Sequence, residues 1–162
     1  MAAVRTGRGA AATEEWGEAV TGFMASVDGA SIAKYRIMMR RYMGSCHCGV
    51  VRFEIEADID RVTQCNCSVC SKKGILHHRV DAAHFRLLSG EDDLGTYQFG
   101  SKVAKHHFCT HCGIHTFTRP RAAPELYTVN VRCLDDYDLD AEAPEIVRFN
   151  GRDWEAEVGK LG

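Results

Sequence analysis

The sequence predicts an all-β domain, a sandwich or an open barrel, and three observations carry that expectation. Val51, Phe53 and Ile55 alternate with Arg52, Glu54 and Glu56, the period of two that sends one face of a strand into a core and the other into water. Short segments of this kind recur along the chain between turn-forming residues, the spacing of a sandwich or barrel. Strong helical periodicity is missing, apart from a turn at residues 134–137.

Residues 1–43 read as a disordered or weakly ordered extension. Their start is rich in Ala, Gly and Arg without periodicity. The stretch from Ser31 to Met43 is basic and partly amphipathic, and Glu14, Glu15 and Glu18 speak against an acid-poor targeting peptide. This part reads as an appendage, or as sequence upstream of a start at Met43. Residues 44–162 are the expected domain. After the strand at 51–56, a second candidate covers residues 75–80. Residues 85–88 and 96–99 flank Ser89-Gly90-Glu91-Asp92-Asp93 and are expected to form a hairpin. Residues 105–109, 115–118, 126–131 and 146–149 continue the series.

At 162 residues and 45% hydrophobic content the chain can enclose one proper core. A formal net charge of −2 argues against a dedicated nucleic-acid binder. No apolar run is long enough to span a membrane.

Seven of the eight cysteines fall into three clusters: Cys46-His47-Cys48, Cys65-Asn66-Cys67-Ser68-Val69-Cys70, and Cys109-Thr110-His111-Cys112-Gly113. Four plus three is the count for one closed zinc site and one open one, because a catalytic zinc keeps three protein ligands and leaves a position for substrate. A disulfide inside Cys-x-Cys would be strained, and no secretory signal implies an oxidising compartment. Iron–sulfur clusters use other spacings, so zinc fits better. Cys109-x-x-Cys112 is a zinc knuckle whose Gly113 permits the left-handed turn that closes it. On a strand, Cys46 and Cys48 would leave one face together. His47 and His111 are expected to point away from the metals. His77, His78, His106, His107 and His115 lie on strand-like segments, where places on the surface or behind a metal ligand are commoner, though one of them could complete the second site. Cys133 reads as a small buried thiol, and Asp135, Asp136, Asp138 and Asp140 as a solvated loop.

Gly44-Ser45-Cys46-His47-Cys48-Gly49, the Cys65 to Cys70 segment and Phe108-Cys109-Thr110-His111-Cys112-Gly113 together resemble the glutathione-dependent formaldehyde-activating enzyme family, which also includes the zinc domain of centromere protein V. The resemblance covers residues 44–149. It implies a β-tent, antiparallel sheets pinned at their tips by zinc, with two Zn2+ per chain. It further implies that Cys46, Cys48, Cys109 and Cys112 hold a structural zinc and that Cys65, Cys67 and Cys70 hold a catalytic-type one. Spacing alone leaves that pairing open.

The implied activity is that of a carbon–sulfur lyase acting on a thiol–aldehyde adduct, with glutathione adding to formaldehyde to give S-hydroxymethylglutathione. Lys72, Lys73 and Arg79 follow the three-cysteine loop and are candidates to meet glutathione carboxylates. Expected partners are a small-molecule thiol and an aldehyde, with no nucleic acid and no membrane, in the cytoplasm. The alternative is a non-catalytic zinc-stabilised binding module. The basic segment 34–41 would serve that module.

Overall fold

A computed structural model describes residues 39–160. Of the expected extension, residues 1–38 lie outside the described residues, as do 161 and 162. Among the described residues ten strands form two sheets. The first sheet holds β1 (Arg40–Ser45), β2 (Arg52–Ala57) and β5 (Phe85–Ser89) in the order β1-β2-β5, all antiparallel. The second holds β3 (Arg61–Cys65), β4 (His77–Val80), β6 (Leu94–Tyr97), β7 (Lys105–Cys109), β8 (His115–Arg119), β9 (Tyr127–Asn130) and β10 (Glu145–Phe149). Its order is β10-β3-β4-β9-β8-β7-β6, antiparallel except where β10 runs parallel to β3. There is no barrel. Among the described residues three short α-helices sit at strand ends: α1 (Ser68–Lys73), α2 (Leu139–Glu142) and α3 (Trp154–Glu157). Among the described residues no helix is long and apolar enough to cross a membrane.

The core lies between the sheets. Val51, Phe53 and Ile55 are fully buried, as the alternation requires, and share the core with Val62, Phe117 and Val129 of the larger sheet and with Val131 just after β9. Phe85 stacks on Tyr127 at 3.8 Å and meets Phe117 edge-on at 4.8 Å, so aromatic contacts cross from β5 to β8 and β9.

Four expectations need correction. Residues 85–89 and 94–97 do not form a hairpin: β5 pairs with β2 and β6 with β7, in different sheets. Phe85 draws its strand into the core, and the intervening turn carries the chain from one sheet to the other. The ordered domain starts before Gly44, since β1 pairs from Arg40 to Ser45 and buries Tyr42 against Tyr137. Glu54, on the charged face of β2, is buried instead of solvated. It occupies the central strand, where Arg41 of β1 and Arg86 of β5 reach it at 3.7 and 3.2 Å. Lastly, Cys46 to Cys48 follow the end of β1 and form a turn, not a strand.

Candidate metal centres

The four-cysteine cluster is built from two turns, one from each sheet. After β1, the Cys46 carbonyl accepts from the Gly49 N–H at 3.0 Å, and the Cys46 sulfur accepts from the Val51 N–H at 3.3 Å. Between β7 and β8, the Cys109 carbonyl accepts from the Gly113 N–H at 2.8 Å, with Gly113 at φ 74° as the knuckle requires. The turns meet at the sulfurs, 3.5 Å between Cys46 and Cys48 and 3.6 Å between Cys48 and Cys109. All four sulfurs lie within 4.8 Å of one another. A tetrahedral ion with metal–sulfur bonds of about 2.3 Å spaces its ligands about 3.8 Å apart, so this set fits zinc. Disulfides would need sulfur atoms about 2 Å apart, and all eight cysteines are free thiols.

The three-cysteine cluster belongs to the larger sheet alone. Cys65 ends β3, Cys67 caps α1, and Cys70 lies buried in the first turn of that helix. The helix brings Cys70 back over Cys67, whose sulfur accepts from the Cys70 N–H at 3.4 Å; the Cys65 sulfur accepts from the Cys67 N–H at the same distance. Among the described residues no histidine or carboxylate joins these three sulfurs within 4.8 Å. Sharing with the Cys65 and Cys70 sulfurs, aided by backbone N–H groups, pulls the Cys67 thiol well below its usual range. The same crowding pushes Cys70 up. Negative charge therefore gathers first at Cys67, the chemistry of a thiolate set that a cation would stabilise.

His77 lies beside this cluster, its Nε2 3.2 Å from the Cys70 sulfur. Burial pushes its imidazole down to about 4, with His106 adding to the effect. A ligating thiolate has no proton to give, so His77 Nε2–H is the donor to Cys70 when that sulfur holds a metal. Asn66, between the first two cysteines, is clasped by the end of the domain. Its N–H donates to the Phe149 carbonyl at 3.1 Å and its Nδ2 to Asn150 Oδ1 at 2.8 Å, while the Arg152 N–H donates to its Oδ1 at 3.1 Å. Gly151 lies so close that a Cβ there would run into the Cys65 sulfur.

All three cysteines line a cleft of about 250 Å³, and none of the other four does. A second depression, of about 520 Å³, takes in Cys65 and Cys70 but not Cys67. Phe99, Ala104, Pro120, Ala122, Phe149 and Trp154 make the cleft largely apolar, with His77, His106, Arg79 and Arg121 as its ionisable groups. Of the three cations expected near the site, Arg79 lines the cleft, while Lys72 and Lys73 do not. Lys73 reaches the ring of Phe108 instead, with Nζ 5.3 Å from its centroid. Arg121 was not expected. It stacks on Trp154 at 3.7 Å and pairs with Glu155 at 2.6 Å. No spacing rule could have joined Arg121, His77 and His106 to the cysteines, because sheet pairing brings them together; the basic, turn-rich Phe149-Asn150-Gly151-Arg152 was the one local signal for the clasp.

His47, His111 and Cys133 are placed as the sequence suggests. His47 is exposed, and His111 meets Asp93 at 2.7 Å. Cys133 is buried, donates to the His115 carbonyl at 3.4 Å, and has its thiol pushed up to about 12 by desolvation.

Comparison with known proteins agrees with this geometry. A crystal structure of a Rhodobacter sphaeroides protein, a structural-genomics target, is 34% identical over 65% of this chain and 98% of its own, with a TM-score of 0.60. The family profile described as glutathione-dependent formaldehyde-activating enzyme matches residues 41–152, from the second residue of β1 to the Asn66 clasp. Both cysteine clusters and the whole cleft-forming sheet fall within that span, and the chain belongs to the glutathione-dependent formaldehyde-activating enzyme family.

Proposed function

We propose that the protein is a carbon–sulfur lyase that makes and breaks the adduct of glutathione with formaldehyde, with two Zn2+ per chain. The observation that supports this reading is that the three-sulfur set lines the 250 Å³ cleft while the four-sulfur set lies outside it. In this reading Cys46, Cys48, Cys109 and Cys112 hold a structural ion that fastens one sheet to the other. Bound by Cys65, Cys67 and Cys70, a zinc ion supplies a coordination position that keeps a fourth sulfur, that of the substrate, as thiolate.

The chain's own residues do the rest. The apolar walls of the cleft exclude water from the reacting atoms. Arg79, which makes no ion pair among the described residues, takes a glutathione carboxylate. Arg121, held flat by Trp154, presents its remaining N–H groups to a second one. Glutathione anchored in this way has its sulfur facing the cysteine loop, and orientation converts a bimolecular encounter into a local attack. The sulfur pair then forms the bond to the aldehyde carbon while the carbonyl pair moves to oxygen. Breaking the adduct runs the same sequence backward.

Exchange NMR between free glutathione and its formaldehyde adduct tests the reading. Zinc-loaded protein accelerates the exchange, and the Cys67→Ser protein does not. Wild-type protein with both ions bound and no acceleration would favour a binding module. The basic segment assigned to that alternative is already engaged where it is described: Arg40 pairs with Glu142, and Arg41 with Glu54 and Glu56. Residues 34–38 lie outside the described residues.

A further inference from the structure

We propose that the cleft takes adducts of aldehydes larger than formaldehyde, with an apolar chain of several carbons laid against Phe99, Ala104, Pro120, Ala122 and Trp154. The inference rests on the thiol–aldehyde reading above and names the class of aldehyde it acts on.

The cleft is roomier and more apolar than a one-carbon aldehyde can use. Formaldehyde leaves on sulfur only a hydroxymethyl group, little bigger than a water molecule, whose share of liquid volume is about 30 Å³. The cleft measures about 250 Å³. On its wall Phe99 stands 41% exposed, and Tyr97, 47% exposed, stacks on that ring at 5.9 Å and extends the aromatic surface. Ala104 is half-buried and Ala122 exposed, and side chains of a single carbon leave open the space a larger one would fill. Accessible apolar surface gathered at a reactive site calls for an apolar partner.

The polar residues along this wall offer little to a polar ligand. His106 Nε2 and His77 Nδ1 are screened from solvent, and the His106 ring stacks on Phe99 at 5.5 Å. Thr118 and Thr128 are buried, and Thr118 Oγ1 lies 2.9 Å from His115 Nε2. Apart from the cysteines, Arg79, Arg121, Ser101 and Thr63 are the cleft's accessible polar side chains. Glutathione is charged at both ends and joined by amides, and an amide laid on apolar surface without a hydrogen bond loses binding energy. Its carboxylates belong with the two arginines. The apolar wall is left to what the aldehyde brings.

The bond changes are those of the reading above. Thiolate sulfur gives its pair to the carbonyl carbon, the π pair moves to oxygen, and oxygen takes a proton from water, matching the proton the thiol released. The chain on the carbon takes no part in them. It contributes binding alone, so its effect falls on kcat/KM.

The test uses full-length zinc-loaded protein and exchange NMR with glutathione at sub-saturating aldehyde. Ethanal, propanal, butanal and pentanal have nearly the same carbonyl reactivity, so differences in their acceleration over the uncatalysed exchange report on the chain. Acceleration rises roughly threefold per methylene, and roughly tenfold or more from ethanal to pentanal. Calorimetry with S-methylglutathione and S-pentylglutathione, which cannot exchange, reads the wall apart from the chemistry; the pentyl compound binds roughly tenfold tighter or more. Phe99→Ser, which removes apolar wall, and Ala104→Leu, which fills the space beside it, each lower the pentanal-to-ethanal ratio several-fold. Phe99 is exposed, so its variant decides should Ala104→Leu fail to fold. Acceleration that is flat or falling from ethanal to pentanal overturns the inference and, with formaldehyde still accelerated, leaves the thiol–aldehyde reading standing. Equal affinity for the two S-alkylglutathiones overturns it as well, as does a pentanal preference that Phe99→Ser leaves intact. No acceleration with any aldehyde overturns both readings together.

Discussion

Each cysteine takes its character from what surrounds its sulfur. Cys133 donates to a backbone carbonyl in a sealed pocket and stays a thiol. Cys67 receives backbone N–H groups and two neighbouring sulfurs and becomes the most acidic of its set. Cys67→Ser should therefore cost one bound ion and leave the folded structure intact, which metal analysis beside circular dichroism will show; an unchanged metal count would mean the sulfur is not a ligand. Gly151→Ala drives a methyl into the Cys65 sulfur. Competition with a chelator should release the second ion faster from that variant while the first is retained, and equal release rates would contradict the contact. His115 gives a third expectation. Burial first, then Lys73 and the neighbouring His77, His106 and His107, push its imidazole down to about 2. The unfolded chain takes up that proton near pH 6.5 and the folded chain does not, so stability is full above 6.5 and falls as pH drops below it. Nitrogen-15 shifts should show His115 still neutral at pH 5, and a titration near 6.5 would contradict the burial. At this scale the sequence disclosed the ligand types through their spacing. It could not disclose His77, His106 or Arg121, whose places depend on which strands lie side by side.

Among the elements, β2 was the most legible, because Phe53 and Ile55 face the core and their charged neighbours take the other face, where Arg41 and Arg86 cover Glu54. The strand β1 was hidden: Arg40 and Arg41 continue a basic run that looks like extension, and only pairing with β2 reveals the buried Tyr42. Tyr42→Ala should cost about 3 kcal/mol in chemical denaturation of the metal-loaded protein. A loss under about 0.5 kcal/mol, the size of a surface change, would put β1 outside the domain. The misread hairpin has a related cause. Local composition marks a turn at Gly90 but is silent on whether the next strand returns to the same sheet. Short-range chemistry was easier to read in the knuckle. Gly113 has open space where a side chain would go and a positive φ, so Gly113→Ala isolates backbone strain, about 1–2 kcal/mol.

Across the whole molecule, two small sheets share one core, and the four sulfurs join their tips through residues 61 apart in sequence. In the proposed reading an ion held there is a crosslink of that span and contributes folding free energy, whereas the three-cysteine loop, held within one sheet and clasped at Asn66, would accept a fourth ligand without opening the fold. Cys109→Ser should accordingly unfold the domain, since a structural zinc contributes about 10 kcal/mol. The division of labour between the two sites is the central claim, and native mass spectrometry with added glutathione tests it directly. Wild-type protein should carry two zinc ions and gain one glutathione, and Cys67→Ser should carry one ion and gain none. A single ion in folded wild-type protein, or a glutathione adduct that survives in Cys67→Ser, would contradict it.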